Sequence, residues 1–369
     1  MIRIGLESTS VCTSSRGGIQ HYISSFIESL LANDRIRSDY ELRLLYKLSR
    51  WRKRQYRYLP TGVRAQWYYE RVLPVSKNVD LIHSLDSYSA TSRHAKCIGT
   101  VYDLAVFKDR LQDERYSPER FRTKKRAKVT ATLEVSDAVV TLSESAKKDL
   151  QELFGYPGEK IHVIPPGIDS QFLKHDPEDE KASEVLDGYG LTRGGYFLYV
   201  GNISFRKNVS NLIQAYADSG APESVGLVLA GQQSAAANEI LDTAHKLDLG
   251  DRLKLLGYVP DAVLPALYGG ARAFLFPTYY EGFGIPILEA MACRTPVLIG
   301  NWGSAPEVAN GHATMVDPFE VDSIAGGIAQ LLAQTSPAVE EAAQHAARYT
   351  WSSCAERTVE LYERVLNEK

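Results

Sequence analysis

The 369-residue chain has no apolar run approaching the ~20 residues that a membrane-spanning helix requires, so no transmembrane segment is expected. Cysteine is scarce: Cys12, Cys97, Cys293 and Cys354 are scattered and form no Cys-x-x-Cys pair, which argues against a disulfide framework or a zinc site and fits a reducing cytoplasm. No Asp-x-Asp cage is found, so neither metal nor cofactor is expected. There is no repeat of fixed period and no low-complexity tract. Met1-Ile2-Arg3-Ile4-Gly5-Leu6 reads as a first strand and lacks the apolar core of a secretion signal. What is present is ordinary for a soluble globular protein, 44% hydrophobic and 24% charged, and the length exceeds what one core supports, so two domains are expected.

A net charge of −3 conceals an asymmetry. Residues 1–170 carry 28 Lys and Arg against 20 Asp and Glu, while residues 171–369 carry 14 against 25. The basic residues cluster at Arg50, Arg52, Lys53, Arg54 and Arg57, interleaved with Trp51, Tyr56 and Tyr58, and again between Arg120 and Lys128. Such clusters suit an anionic membrane surface or a phosphorylated lipid acceptor, when they are more than a solvated face. They match no nucleic-acid module and the second half is acidic, so no nucleic-acid partner is expected.

The stretch with the clearest chemistry is Glu281-Gly282-Phe283-Gly284-Ile285-Pro286-Ile287-Leu288-Glu289-Ala290-Met291-Ala292. It follows the apolar run Ala273–Pro277, a buried-type strand, and Pro286 sits where a helix start tolerates proline, so the order is strand, glycine loop, helix. Amides near Phe283, Gly284 and Ile285, at the positive end of the dipole, suit a phosphate, and Gly282 and Gly284 allow close approach. Glu281 before the helix and Glu289 about one turn in offer carboxylates to the hydroxyls of a sugar or ribose. Together these describe a nucleotide-sugar site.

This paired-glutamate stretch resembles the signature of the retaining glycosyltransferases of family 4, and the likeness extends over nearly the whole chain, strongly in residues 196–320. The resemblance implies an α/β protein of GT-B fold, with two Rossmann-like domains whose parallel sheets face a central cleft. The expected division is residues 1–175 for an acceptor-binding domain, 190–345 for a nucleotide-sugar-binding domain, and 350–369 for a helix crossing back to the first.

In chain order, strand, Gly17-Gly18 and an amphipathic helix carrying Ile23, Phe26, Ile27, Leu30 and Leu31 form a second cradle, which in the family sits against the donor diphosphate; the stretch is not Gly-x-Gly-x-x-Gly, so it is no dinucleotide fingerprint. Further strands are expected at residues 41–46, 80–84, 96–101, 138–142 and 161–164. His83 closes one of them at the edge where α/β ligands bind, though a structural role is the commoner one. Tyr102-Asp103 follows the next; the resemblance expects His-Asp here, and Tyr102, whose phenol can donate a hydrogen bond to a sugar but does not exchange a proton near neutral pH as imidazole does, is an acceptor-side candidate with the acid/base role in doubt, while Asp103 is the candidate for sugar or acceptor contacts. Ser143 is a helix cap that also matches a serine of the family's cleft wall.

Tyr196–Val200 opens the second domain, and Gly201-Asn202-Ile203-Ser204-Phe205-Arg206-Lys207 follows it. Lys207 is a point charge for a diphosphate, and Arg206 a forked donor for the diphosphate or a domain contact. Many relatives have arginine at the place of Asn202, which leaves Lys207 to carry more of the leaving-group charge. Strands are expected at residues 226–231, 252–257 and 295–300, with helices at 236–247, 262–268 and 352–366. Arg294 stands where relatives commonly have glycine.

The expectation is thus a metal-independent, retaining hexosyltransferase using a nucleotide diphosphate sugar, GDP-mannose first and a UDP-hexose second, and a glycan or lipid-linked acceptor in cell-surface polysaccharide synthesis. Glu281, Lys207 and Asp103 are the catalytic candidates. A cytoplasmic location is expected, with peripheral contact at the inner face of an anionic membrane. The alternatives are a nucleotide-sugar epimerase of the same fold and a nucleotide-sugar-binding protein without transfer activity.

Overall fold

The structure, a computed structural model, describes residues 1–13, 17–69, 79–86, 94–112, 114–176, 179–233, 237–334 and 338–368, and of Leu241 only the backbone. Ser14, Ser15 and Arg16 before the first glycine pair, Pro177 and Glu178 in the acidic stretch after it, and Ala236 at the expected start of a helix lie outside the described residues. The chain divides into two compact units. The first comprises Met1–Phe107, Glu119–Gly167 and Tyr349–Lys369, the second Lys108–Pro118 and Ile168–Arg348. Residues 108–118, placed by the sequence reading in the first domain, thus belong to the second unit.

In the first unit β1 (Ile2–Glu7), β2 (Tyr40–Lys47), β3 (Arg64–Tyr68), β4 (Leu81–Ser84), β5 (Lys96–Thr100), β6 (Ala138–Thr141) and β7 (Ile161–Val163) form one parallel sheet in the order β3-β2-β1-β4-β5-β6-β7. Ile4 is in register with Leu42 on one side and Leu81 on the other, and all three are buried. The central strands β4, β5 and β6 are buried along almost their whole length, as expected for a parallel sheet covered on both faces. The helix Gly18–Ala32 buries Tyr22, Ile23, Phe26, Ile27 and Leu30. The helix Trp351–Asn367 packs against it, capped by Thr350, whose hydroxyl accepts from the Ser353 amide at 3.1 Å. The helix Glu119–Val135 buries Val129, Thr132 and Leu133 and leaves Arg120, Lys124 and Arg126 exposed.

In the second unit β8 (Tyr196–Val200), β9 (Gly226–Ala230), β10 (Leu253–Gly257), β11 (Ala273–Phe276), β12 (Val297–Gly300) and β13 (Thr314–Val316) are ordered β10-β9-β8-β11-β12-β13, the 3-2-1-4-5-6 arrangement of a Rossmann sheet. Phe197, Leu198, Phe274, Leu275, Leu298 and Ile299 form its centre and are fully buried. The turns after β8 and β9 pack so closely that a Cβ on Gly231, whose φ is +151°, would lie 1.9 Å from the Gly201 carbonyl oxygen. Only glycine fits there.

Strand order reverses between β8 and β11, and this switch point is where loops leaving neighbouring strands diverge and open a crevice. The segment Lys108–Pro118 lies against the loop that follows β11. Tyr116 stacks edge-on to Tyr279 with ring centroids 5.2 Å apart, and the Arg110 guanidinium lies 3.5 Å from the centre of the Phe319 ring, which itself packs on Tyr279.

Candidate active site

Two loops leave the switch point of the second unit. After β8 the chain turns through Gly201 and Asn202 into a single 3₁₀ turn, Phe205–Lys207, before the helix Val209–Asp218. After β11 it runs through Pro277 to Gly284 and enters the helix Ile285–Ala292. The Lys207 ammonium lies 2.5 Å from Glu281 Oε1, with the two side chains only 15% and 11% exposed. The Arg206 guanidinium approaches the Tyr280 carbonyl oxygen at 3.5 Å. Sequence reasoning assigns Lys207 to phosphate and Glu281 to sugar; the structure pairs them with each other.

The glycine loop is held open by two devices. Gly284, the residue before the helix, has a φ of +104°, which favours glycine. Ser304 Oγ lies 2.9 Å from the Glu281 carbonyl oxygen and 2.8 Å from that of Phe283, so one buried hydroxyl gathers two turns of the loop. At the helix start Pro286 has no N–H and the Ile287 amide donates to Gly284 at 3.0 Å. The anion-binding capacity of this first turn therefore falls on the Ile285 amide and the dipole. Gly282 and Phe283 are buried within the loop. Glu289 is 9% exposed and its Oε2 accepts from the Tyr268 hydroxyl at 3.0 Å. The Asn202 side chain is exposed beside the β8 turn, whose carbonyl at Asn202 accepts from the Tyr199 hydroxyl at 3.1 Å.

In the first unit Gly17 is extended and precedes the helix Gly18–Ala32, whose first intrahelical bond runs from the His21 amide to the Gly17 carbonyl at 3.0 Å. The amides of Gly18, Ile19 and Gln20 are thus first-turn donors at an exposed helix start.

Each acceptor-side candidate has a partner within the protein, and Ser143 is the helix cap that the sequence suggests. The Tyr102 hydroxyl donates to the Leu85 carbonyl, so its one proton serves the protein and not a sugar. Ser143 is fully buried and its oxygen accepts from the Ala146 amide at 3.1 Å; it is a cap and presents no surface to a cleft. Asp103 Oδ1 accepts from Lys125 Nζ at 3.1 Å and from the Ala105 amide at 3.2 Å. His83 is buried between the Tyr362 hydroxyl at 2.7 Å and the Thr100 hydroxyl at 3.0 Å, and burial pushes its pKa down to about 3. It is a neutral structural residue.

Sequence reasoning missed Glu7, at the carboxyl end of β1. It is fully buried and accepts from the Thr9 hydroxyl, from the Thr9 amide at 3.4 Å and from the Tyr68 hydroxyl at 3.0 Å. Burial pushes its pKa up to about 8, so it holds its proton near neutrality. The signal was a carboxylate closing an apolar strand. Among the described residues, no group of three or more His, Cys, Asp or Glu side chains is placed to hold a metal ion.

Comparison with known proteins bears on this geometry. The pattern of "Glycosyl transferases group 1" matches residues 191–349 and that of "Glycosyltransferase Family 4" residues 16–172. The chain is 30% identical over 288 residues to the O-antigen chain mannosyltransferase B of Escherichia coli, a match covering 77% of this chain and 74% of that one. It is also 30% identical over 243 residues to the serotype-specific mannosyltransferase WbdA of Escherichia coli, over 64% of this chain but only 30% of that relative's length. Among solved structures, sucrose-phosphate synthase from Thermosynechococcus elongatus aligns over 99% of both chains with a TM-score of 0.78 at 19% identity. Anabaena Alr3699/HepE, in complex with UDP-glucose, aligns over 99% of this chain and 100% of its own with a TM-score of 0.74 at 18% identity. These likenesses give the fold, GT-B, and with the 30% identical relative they make the chain a member of the group 1 glycosyl transferases of glycosyltransferase family 4.

Proposed function

We propose that this glycosyltransferase moves a mannosyl unit from GDP-mannose to a hydroxyl of a glycan or lipid-linked acceptor, with retention of configuration and without a metal ion. The observation that carries the reading is the Lys207–Glu281 pair, little exposed and set beside a helix start at the switch point of a Rossmann sheet. An ammonium held by one carboxylate oxygen is a preorganised cation that a diphosphate can share, and preorganised charge usually supplies the largest share of such catalysis. As the bond between the sugar's anomeric carbon and the phosphate oxygen breaks, its electron pair goes to the diphosphate, where Lys207, Arg206 and the Ile285 amide disperse it. Glu281 and Glu289 are assigned to donor hydroxyls, and Asn202 to the rim of the donor site. Asp103 keeps a proposed contact with the acceptor. The helix start at Gly17–Gly18 is a further proposed phosphate cradle. Retention is proposed from the family likeness: the acceptor hydroxyl attacks on the face the diphosphate leaves, its oxygen forms the new bond to the anomeric carbon, and its proton passes to the departing phosphate oxygen.

Mannose is favoured by the names of the relatives, and UDP-glucose in the Anabaena protein keeps a UDP-hexose as the second choice. Thermal-shift screening of nucleotide sugars tests the donor, since a ligand that binds the native state raises the midpoint with occupancy. GDP-mannose should stabilise most, and hydrolysis or transfer should persist in a chelator. A shift given only by UDP sugars overturns the mannosyl reading.

No helix among the described residues is long and apolar enough to cross a membrane. Peripheral contact is proposed instead at the 3₁₀ run Leu48–Tyr56, which buries no residue and displays Trp51 and Tyr56, 46% and 44% exposed, among Arg52, Lys53 and Arg54. Aromatic rings with flanking cations suit the surface of an anionic bilayer.

A further inference from the structure

Asn208 follows Lys207 immediately and is 1% exposed. Its backbone is left-handed, with φ 61° and ψ 26°, which reverses the chain between the 3₁₀ turn and the helix Val209–Asp218. The side chain makes no helix cap. Instead its amide nitrogen donates to the Pro277 carbonyl at 2.8 Å and the Pro318 carbonyl at 2.6 Å. Its amide oxygen, also buried, has no hydrogen-bond partner among the described residues.

A carboxamide that spends both N–H groups and leaves its acceptor idle is held in place by what it donates to. One of those carbonyls, Pro277, opens the loop that carries Glu281. The other, Pro318, lies just past β13. The residue that ends the lysine turn is thereby fastened to the start of the glutamate loop, across 69 residues of sequence. Neither a carboxylate nor an aliphatic side chain supplies two donors there.

We infer that Asn208 is a positioning residue: its carboxamide sets the register between the Lys207 turn and the Glu281 loop, and so places the ammonium that meets the donor diphosphate. This rests on the donor-site reading of Lys207 and Glu281. On this reading Asn208 acts through Lys207.

The test uses the full chain and compares kcat and donor KM for wild type, Asn208→Gly, Asn208→Ala, Lys207→Ala and the double variant Lys207→Ala/Asn208→Gly, with thermal midpoints alongside. Glycine accepts the left-handed backbone, so this variant removes the two hydrogen bonds without adding backbone strain. Loss of alignment of about an ångström costs about 10²-fold, so Asn208→Gly is expected to lower kcat by about that factor with donor KM changed far less. Asn208→Ala should match the glycine variant in kcat at a lower midpoint, which separates positioning from stability. In the double variant, kcat should be no lower than in Lys207→Ala alone, because the residue it positions is gone. Wild-type kcat in Asn208→Gly, or losses that multiply in the double variant, overturn the inference while leaving the donor-site reading standing. Wild-type kcat in Lys207→Ala overturns that reading and this inference with it. If Asn208→Gly does not fold, Asn208→Ser, which keeps one donor, carries the test: an intermediate kcat supports the inference and an unchanged one overturns it.

Discussion

The two sheets share one strand order around β1 and β8, yet they use the polar residues at their carboxyl ends in opposite ways. In the second unit, Lys207 and Glu281 come from loops beyond the strands and meet as a charged pair with residual exposure. In the first, Glu7, His83 and Ser143 lie within or directly after strands, are buried, and are satisfied by Thr9, Tyr68, Tyr362, Thr100 and the Ala146 amide. Topology alone therefore does not make a site. A side chain a few residues past the strand end keeps access to ligand, whereas one at the strand end is drawn into the core and offsets its desolvation with internal hydrogen bonds.

The sharpest way to break this contrast is Lys207→Ala. If the second unit carries the chemistry, kcat should fall by about 10²–10³-fold, the usual cost of one preorganised donor, with the far-ultraviolet circular dichroism unchanged. Next in size is His83→Phe in the first unit. Removing the imidazole leaves the Tyr362 and Thr100 hydroxyls without it, and the stability loss should be about 1–3 kcal/mol by urea denaturation, with turnover per folded molecule retained. A turnover loss equal to that of Lys207→Ala would erase the distinction between the units.

The pH dependence of stability sharpens it further. Glu7 holds its proton more tightly when folded, at about 8 against an ordinary 4.5, so its stabilising contribution is complete below about pH 4.5 and is lost as pH rises toward 8. Glu7→Gln should flatten the decline in stability between pH 5 and 8. His83 works in the other direction: its folded value near 3 lies below the ordinary 6.5, so stability is lost as pH falls from about 6.5, and His83→Phe should flatten that acid limb. Denaturation midpoints of both variants across pH 4–9 check these signs. The smallest effect is expected at the basic run. Replacing Arg52, Lys53 and Arg54 with glutamine should weaken binding to anionic vesicles by about 1 kcal/mol per residue, without changing kcat on a soluble acceptor; sedimentation indifferent to both lipid charge and these residues would remove the proposed docking.

Much of this architecture is legible in the order of residues. Runs such as Tyr196–Val200 and Ala273–Phe276 are apolar throughout because their sheet is covered on both faces, and the amphipathic period of Gly18–Ala32 matches the face it buries. β3 and β13 escaped notice because they are edge strands. Arg64–Tyr68 and Thr314–Val316 are short and largely half-exposed, so neither alternates cleanly nor reads as a buried run. At the site, Lys207 and Glu281 were identifiable as residues, but not as partners. They are 74 positions apart, and only the switch between β8 and β11 brings their loops together. Tyr102 was misjudged for a related reason. A phenol next to Asp103 suggests a ligand, and nothing local reveals that the Leu85 carbonyl takes its proton.

The membership of Lys108–Pro118 in the second unit has a practical consequence for anyone dividing this polypeptide. A fragment starting at Ile168 would leave behind Tyr116 and Arg110, baring the aromatic faces of Phe319 and of Tyr279, two residues before Glu281. Cutting the gene at the obvious midpoint would thus yield a half-protein with bared aromatic rings, whereas a circularly rearranged chain that keeps this eleven-residue piece beside its partners would keep them covered.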